Sequence, residues 1–164
     1  MTNMNIVNGE FPSVRGRNLN RKKIKLPEEL KGKMNLLLLA FFQNQQKTID
    51  SWLNFASELE EKFNGLQYYE IPVIYNMNIL NQLLLNESMR ASIKEKKIRE
   101  KTITLYLEKS KFLDALKFDD ENDTYTILID KNGKILWKER GMYDSNKGKE
   151  LIEYIEKYEK NRNN

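Results

Sequence analysis

The chain predicts an α/β fold with a central mixed sheet flanked by helices and an N-terminal extension of short strands. Three observations carry that expectation. The uninterrupted apolar run Leu36–Phe42 has the length of a strand buried on both faces. An amphipathic segment follows at once, with Ile49, Trp52, Leu53, Ala56, Leu59 and Phe63 recurring at steps of three and four. Further on, two extended runs, Tyr125–Asp130 and Lys134–Arg140, meet through Lys131-Asn132-Gly133. Asn-Gly supplies the positive φ angles of a tight hairpin turn.

Taken in order, residues 1–12 read as a flexible N-terminal arm closed by Phe11-Pro12. Residues 13–33 hold a turn at Leu19-Asn20 between two short extended pieces, the second being Lys23–Leu26. Pro27–Leu30 suits a short helical turn, because proline at a first helical position forfeits no hydrogen bond. After the central strand, the long helix is expected to stop at Asn64-Gly65. Leu66–Tyr75 reads as a second strand, and Pro72 within it points to an edge position or a strand end. Ile79–Lys97 carries Leu80, Leu83, Leu84, Met89 and Ile93 at helical spacing. Thr102–Leu107 is then a strand, Ser110–Leu116 a short helix, and Asp119–Asp123 an acidic, solvated loop. After the hairpin, Lys147–Tyr158 forms the last helix, with Leu151, Ile152, Ile155 and Tyr158 on one face. Residues 13–158 are expected to form one domain, with 159–164 a frayed tail.

The residue types that are absent exclude more chemistry than those present imply. The 164 residues contain no cysteine and no histidine. Ordinary zinc sites, cysteine nucleophiles and Ser-His-Asp triads are thereby ruled out. Nothing in the chain reaches the roughly 20 apolar residues of a membrane span, and Met1–Glu10 shows neither a basic n-region nor an apolar h-region. A cytoplasmic location is the expectation. The net charge of +4 is uneven. Bases gather between Arg15 and Lys33 and again in Lys94–Lys101, where acids interleave. Such runs can contact nucleic acid or anionic lipid, but no aromatic platform or nucleic-acid motif accompanies them. Nucleic acid is not an expected partner, and peripheral membrane contact stays open. The acidic group Asp119, Asp120, Glu121 and Asp123 lacks the spacing of a calcium loop. The seven glycines are scattered, so no phosphate-binding loop is present. No metal and no cofactor is expected.

The order strand, helix, strand, helix, strand, short helix, hairpin, helix resembles a thioredoxin-like fold with peroxiredoxin-type additions. Phe11-Pro12-x6-Leu19 followed by Leu26-Pro27-x2-Leu30-x-Gly32-Lys33 is similar to the entrance of redoxin domains. Ile127-Leu-Ile-Asp130-x2-Gly133-Lys134-Ile135-x-Trp137-x3-Gly141 resembles their closing hairpin. Against that pattern, the segment matching Cys-x-x-Cys is Gln43–Ile49, with Gln46 and Ile49 where two thiols would sit. Thr124 stands at about the place of the redoxin cis-proline. Redoxins pass electrons through thiolates, so disulfide oxidoreductase and cysteine peroxidase activities are excluded. A narrower set, Gln45-Gln46-x5-Trp52, Tyr68-Tyr69-Glu70-Ile71-Pro72, Met89-Arg90, Arg99-x3-Ile103 and Lys134-Ile135-x-Trp137-x3-Gly141, resembles the mitochondrial ATP-synthase assembly factor family with a redoxin-like fold and its prokaryotic relatives. That resemblance implies help in assembling a membrane subunit by binding, not by redox turnover. It singles out Gln46, Ser51, Trp52, Arg90, Arg99 and Trp137. No mitochondrial targeting segment is visible.

The expected function is therefore a non-catalytic accessory protein that binds a protein client. Its candidate groove comprises Gln43, Gln45, Gln46, Lys47, Thr124 and Tyr125, with Arg90, Arg99, Trp52 and Trp137 as secondary candidates. Trp52 and Trp137 also suit plain core positions, Arg90 and Arg99 suit surface ion pairs, and Gln46 suits a helix start. Two rival classes remain. One is a non-redox enzyme using Lys47, Tyr68, Tyr75, Asp119 or Arg90 with an outside cofactor. The other is a basic surface protein that binds nucleic acid or anionic lipid through Arg15–Lys33.

Overall fold

Leu36, Leu37, Leu38 and Leu39 have no exposed surface, because their strand lies inside a sheet covered on both faces. The computed structural model describes residues 9–162. Its strands are β1 (Gly9–Glu10), β2 (Val14–Asn18), β3 (Lys23–Leu26), β4 (Met34–Ala40), β5 (Leu66–Tyr75), β6 (Ile103–Leu107), β7 (Tyr125–Asp130) and β8 (Lys134–Arg140). The helices are α1 (Gln46–Lys62), α2 (Ile79–Ala91), α3 (Lys96–Glu100), α4 (Lys109–Leu116) and α5 (Ser145–Arg162). The eight strands run β1-β8-β7-β4-β5-β6-β2-β3 across the sheet. β4 pairs parallel with β5 and antiparallel with β7, and β6 continues parallel to β5. The sheet is mixed, with helices on its faces, as the sequence predicts.

Alternation along β4 divides the core into two layers. Leu37 and Leu39 join Phe11, Tyr69, Phe112, Phe118 and Tyr125 on one face. Met34, Leu36 and Leu38 join Trp52, Phe55, Leu59, Trp137, Leu151 and Ile155 of α1, β8 and α5 on the other. The two tryptophans meet edge to face, their centroids 6.4 Å apart. Both are core residues.

Several boundaries differ from expectation, each for a visible reason. The body begins earlier than residue 13: Gly9 and Glu10 pair with Ile135 and Lys134, and Phe11 is buried with its N–H donating to the Gly133 carbonyl at 2.7 Å. The rest of the expected arm, residues 1–8, lies outside the described residues. β4 ends at Ala40, two residues short of the apolar run. Pro27–Leu30 is a turn closed by Leu30 N–H on the Pro27 carbonyl, not a helix. Pro72 neither breaks β5 nor marks an edge. It sits where the ladder to β4 finishes, opposite Ala40, and the ladder to β6 begins at Val73. Within the hairpin turn only Gly133 has a positive φ, 89°. Asp130 Oδ1 accepts from the N–H groups of Asn132 and Lys134, both at 2.9 Å, which fixes a three-residue connection. The last helix runs on to Arg162, past the expected end at Tyr158.

The largest departure is α2. The segment 79–97 splits into α2 and α3. Leu80, Leu83 and Leu84, which carry the helical spacing, are exposed. Asn86 is buried in their stead, donating to the Arg17 and Asn18 carbonyls and accepting from Tyr106 Oη at 2.6 Å. The strand surface beneath α2 carries Tyr106, and a part-buried hydroxyl there demands a polar partner. Burial pushes the Tyr106 hydroxyl up to about 12.

Trp52 has no exposed surface, and its Nε1 donates to the Gly141 carbonyl at 2.9 Å. Trp52→Ala is expected to lower the unfolding free energy by about 3–5 kcal/mol, read from urea titration of the purified protein.

Candidate functional site

The end of β4 at Ala40 is where a redoxin of this strand order would be expected to carry its thiols. Phe41–Gln45 turns here from strand into α1, and three backbone groups would otherwise lack partners. Side chains supply them. Gln45 Oε1 accepts from the N–H of Phe41 at 2.7 Å and of Phe42 at 3.2 Å, while its Nε2 donates to the Glu121 carbonyl at 2.9 Å. Lys109 Nζ donates to the Phe41 carbonyl at 2.6 Å. Lys109 is only 4% exposed, and its ammonium lies 4.3 Å from the ring centroids of both Phe42 and Tyr75. Burial pulls the lysine below its ordinary value, and Glu121 partly opposes that shift.

A second set of bonds fixes the neighbouring floor. The Gly141 N–H donates to the Thr124 carbonyl at 2.9 Å, and the Gly141 carbonyl is the acceptor for Trp52. Gly141 has φ of 82°, and a Cβ there would stand 3.2 Å from Asp123 Oδ2, so both conformation and space call for glycine. Ser51 Oγ accepts from the Tyr143 N–H at 3.0 Å. Tyr125 stacks flat on Phe118, centroids 3.9 Å apart, with Phe41 edge-on. Arg140 gathers Asp119, Asp120 and Asp123 at 3.1–3.6 Å. The acidic loop remains solvent-facing as expected, with Arg140 of β8 offsetting part of its charge, and among the described residues no group of three or more acids is arranged to hold a metal ion.

The candidate groove residues separate into rim and floor. Gln43, Gln46 and Lys47 are exposed, whereas Gln45, Thr124 and Tyr125 are buried and can act on a partner only by shaping what lies above them. Of the two residues expected at thiol positions, Gln46 is exposed and Ile49 is a core residue. Gln46 does not cap its helix with its side chain: Nε2 donates to Asp50 at 2.9 Å and to Glu70 at 3.3 Å. Burial pushes the Glu70 carboxyl up; the Gln46 bond opposes this and nearby Asp50 reinforces it. The one cis peptide among the described residues, Leu26–Pro27, lies at the other end of the sheet, beside Gly133.

Arg90 and Arg99 do come together, but away from the groove. With Arg21, Glu87 and Lys94 they line a pocket of about 280 Å³ near the first residue of β6, which pairs with Asn18. Their forks are occupied by backbone: Arg90 donates to the Leu19 carbonyl at 2.8 Å, and Arg99 to the Ile93 and Lys94 carbonyls. The side chains considered for non-redox catalysis have separate surroundings. Tyr75 faces Lys109, Tyr68 faces Lys101, Asp119 faces Arg140, Arg90 lines the distant pocket, and Lys47 is exposed. Sequence reasoning missed Lys109 and Phe42. A lysine opening a short helix looks like surface, and Phe42 looks like the last residue of a buried run.

A thioredoxin-like framework in a chain without a single cysteine defines a redoxin-fold protein with no thiol redox centre. Residues 9–157 match the family model described as ATP10 protein. The chain belongs to that family of ATP-synthase assembly factors. No curated protein matches it. Among solved structures it is similar to a putative electron transfer protein from Aquifex aeolicus, with TM-score 0.61, 13% identity, and coverage of 90% of this chain and 95% of that one. It is also similar to BsSco, a member of the Sco family of cytochrome c oxidase assembly proteins, with TM-score 0.62, 15% identity and coverage of 93% and 94%. A third is the thioredoxin domain of a thiol-disulfide oxidoreductase from Bacteroides vulgatus, with TM-score 0.54, 16% identity and coverage of 92% and 98%. At these identities the likeness establishes the fold.

Two outcomes follow from the site's polar bonds. Gln45→Ala strands two amides and a carbonyl, and is expected to cost about 1–3 kcal/mol by chemical denaturation. Glu70 has a folded-state value above its unfolded one, so the native state binds more protons between the two and stability falls as pH rises through that window. Glu70→Gln is expected to be more stable than the parent at neutral pH. That advantage should shrink as pH is lowered towards the ordinary carboxylate value, and unfolding midpoints across this range check the sign.

Proposed function

We propose that this protein is a non-catalytic accessory factor that captures a polypeptide client at the end of the sheet where redoxins keep their thiols, and so assists assembly of a membrane or multisubunit complex. The observation that carries this reading is the treatment of the site itself. A framework that has lost its thiols has no chemical reason to keep the loop after β4 ordered, yet the neighbouring Gln45 and the sequence-distant Lys109 satisfy Phe41 and Phe42 with four hydrogen-bond and cation–π contacts. The result is a rigid, partly apolar rim. Phe42 and Tyr75 are exposed rings on either side of a fixed ammonium, next to Gln43, Gln46 and Lys47. Partner sites need such a shaped centre with aromatic anchors.

Family membership supports the assembly role, and the use of the same fold by an assembly protein such as BsSco is a fold-level analogy. A cytoplasmic site of action belongs to the same proposal and rests on the sequence. No described helix is long and apolar enough to cross a membrane, so a membrane-bound client would be met from outside the bilayer or before its insertion.

The test is affinity capture under membrane-solubilising conditions, followed by titration of the captured client. Bulky substitution of Gln43 and Gln46 together with Phe42→Asp is expected to weaken binding at least about tenfold. Charge reversal at Arg21, Lys22 and Lys23 should mainly change salt sensitivity and association rate. If the charge reversals abolish capture and the rim variants leave it intact, the rim is vestigial.

A further inference from the structure

Three parallel strands finish at the same end of the sheet. β4 runs parallel to β5 and β5 to β6, and they stop at Ala40, Tyr75 and Leu107. Each is followed by a helix that starts at that end: α1 at Gln46, α2 at Ile79 and α4 at Lys109. The positive ends of three helix dipoles gather there, outside the carboxyl ends of the strands, where α/β sheets bind their ligands. The Asn78 side chain caps α2 by accepting from the Asn81 N–H at 2.9 Å, whereas α1 and α4 start without a side-chain cap.

Into this place the chain puts a lysine with no counter-ion. Lys109 Nζ carries three N–H donors and has one acceptor, the Phe41 carbonyl at 2.6 Å. Among the described residues it belongs to no ion pair, and Glu121 attracts it only from farther away. The faces of Phe42 and Tyr75 flank the ammonium. A buried charge without a charged partner is unfavourable, and an arriving anion relieves that condition. The slot selects which anion. Two spare donors on one point charge suit the two oxygens of a carboxylate, whereas phosphate sites favour several donors or an arginine fork. Aromatic walls favour a flat, thin group between them. Both rings are exposed, so either can swing outward without opening the core. Gln43 and Gln46 continue the rim on the α1 side and Tyr75 on the β5 side. A chain laid across the slot therefore extends both ways from it and offers an internal side chain.

We propose that Lys109 sets the specificity of the client site by taking the side-chain carboxylate of an aspartate or glutamate, carried in an extended polypeptide segment, between the rings of Phe42 and Tyr75. The proposal rests on the reading of this rim as the client site and adds the chemistry that it selects. The probe is a peptide of alternating leucine and glycine with one central glutamate, acetylated at its start and amidated at its end. It is titrated into the full chain and followed by NMR at the Lys109 ε-methylene and the Phe42 and Tyr75 rings. The peptide is expected to shift all three groups and to bind about tenfold or more tighter than its glutamine counterpart, the gap narrowing as salt rises. Lys109→Met keeps the length of the side chain and should abolish the gap. The comparison of the two peptides on the parent protein decides the matter even where that variant does not fold. The proposal is overturned if the parent binds both peptides alike, or if folded Lys109→Met keeps the gap. It is also overturned if inorganic phosphate displaces the glutamate peptide at lower concentration than acetate does. A peptide with a free terminal carboxylate and no glutamate that outcompetes the probe would assign the slot to a chain end, and would overturn it too. The two readings fail separately. Client capture weakened by Phe42→Asp but not by Lys109→Met would keep the rim and overturn the carboxylate; capture indifferent to both, with the peptide gap intact, would keep the carboxylate slot and overturn the rim as the place of client capture.

Discussion

Everything in this molecule is arranged around one constraint: β4 is buried on both faces. A strand with leucines on alternate sides and water on neither must be covered twice, and the chain does so with two chemically different layers. α1 and α5 close one side around Trp52 and Trp137. The other side is closed by α4 together with the entrance segment, whose Phe11, Leu26 and Leu30 belong to the same apolar cluster as Phe112 and Phe118. The basic N-terminal stretch is therefore part of the fold. Its hairpin extends the sheet beyond β6, and Lys23 and Lys25 on the outermost strand give that edge the charge that discourages further pairing.

The same constraint fixes where a site can exist. Backbone groups in the middle of β4 are used by β5 and β7, and the side chains have no access to solvent. Only the strand's end is free to present anything. In a redoxin that end presents sulfur; here it presents a loop whose polar groups are satisfied by Gln45, Lys109 and the Gly141–Thr124 bond. Burying an ammonium without a carboxylate partner is costly. The carbonyl of Phe41 and the faces of Phe42 and Tyr75 offset part of that cost and hold the two rings in place.

How far all this could be read in the sequence depended on the range of the interactions involved. β4, α1 and the closing hairpin were legible because periodicity and turn chemistry are local. So was the loss of redox chemistry, since missing residue types need no structure to interpret. The boundaries that failed were set by partners distant in sequence. Gly9–Glu10 becomes a strand only because β8 has an open edge, and Pro72 is tolerated inside the sheet only because two ladders change over there. The candidate groove residues do gather at one end of β4, but Thr124 and Tyr125 are floor and Arg90 and Arg99 belong to another corner. Burial and direction are tertiary facts, and a strand-end register does not contain them. α2 failed for a different reason. Helical spacing identifies an apolar face but not which way it points, and the strand surface under it is polar.

Losing the thiols also changed what the site must do. A redox centre has to keep its sulfurs reachable, so the loop and the segment facing it cannot be filled in. Here Ile49 is a core residue and the Gln45 side chain serves the loop backbone. A helix can direct its leucines outward without leaving the domain where its inner face is anchored by polar bonds. Asn86 to the β2 carbonyls, Tyr106 to Asn86, and Arg90 to Leu19 are such bonds. They hold by direction and not by area, and so secure α2 while its apolar arc faces outward.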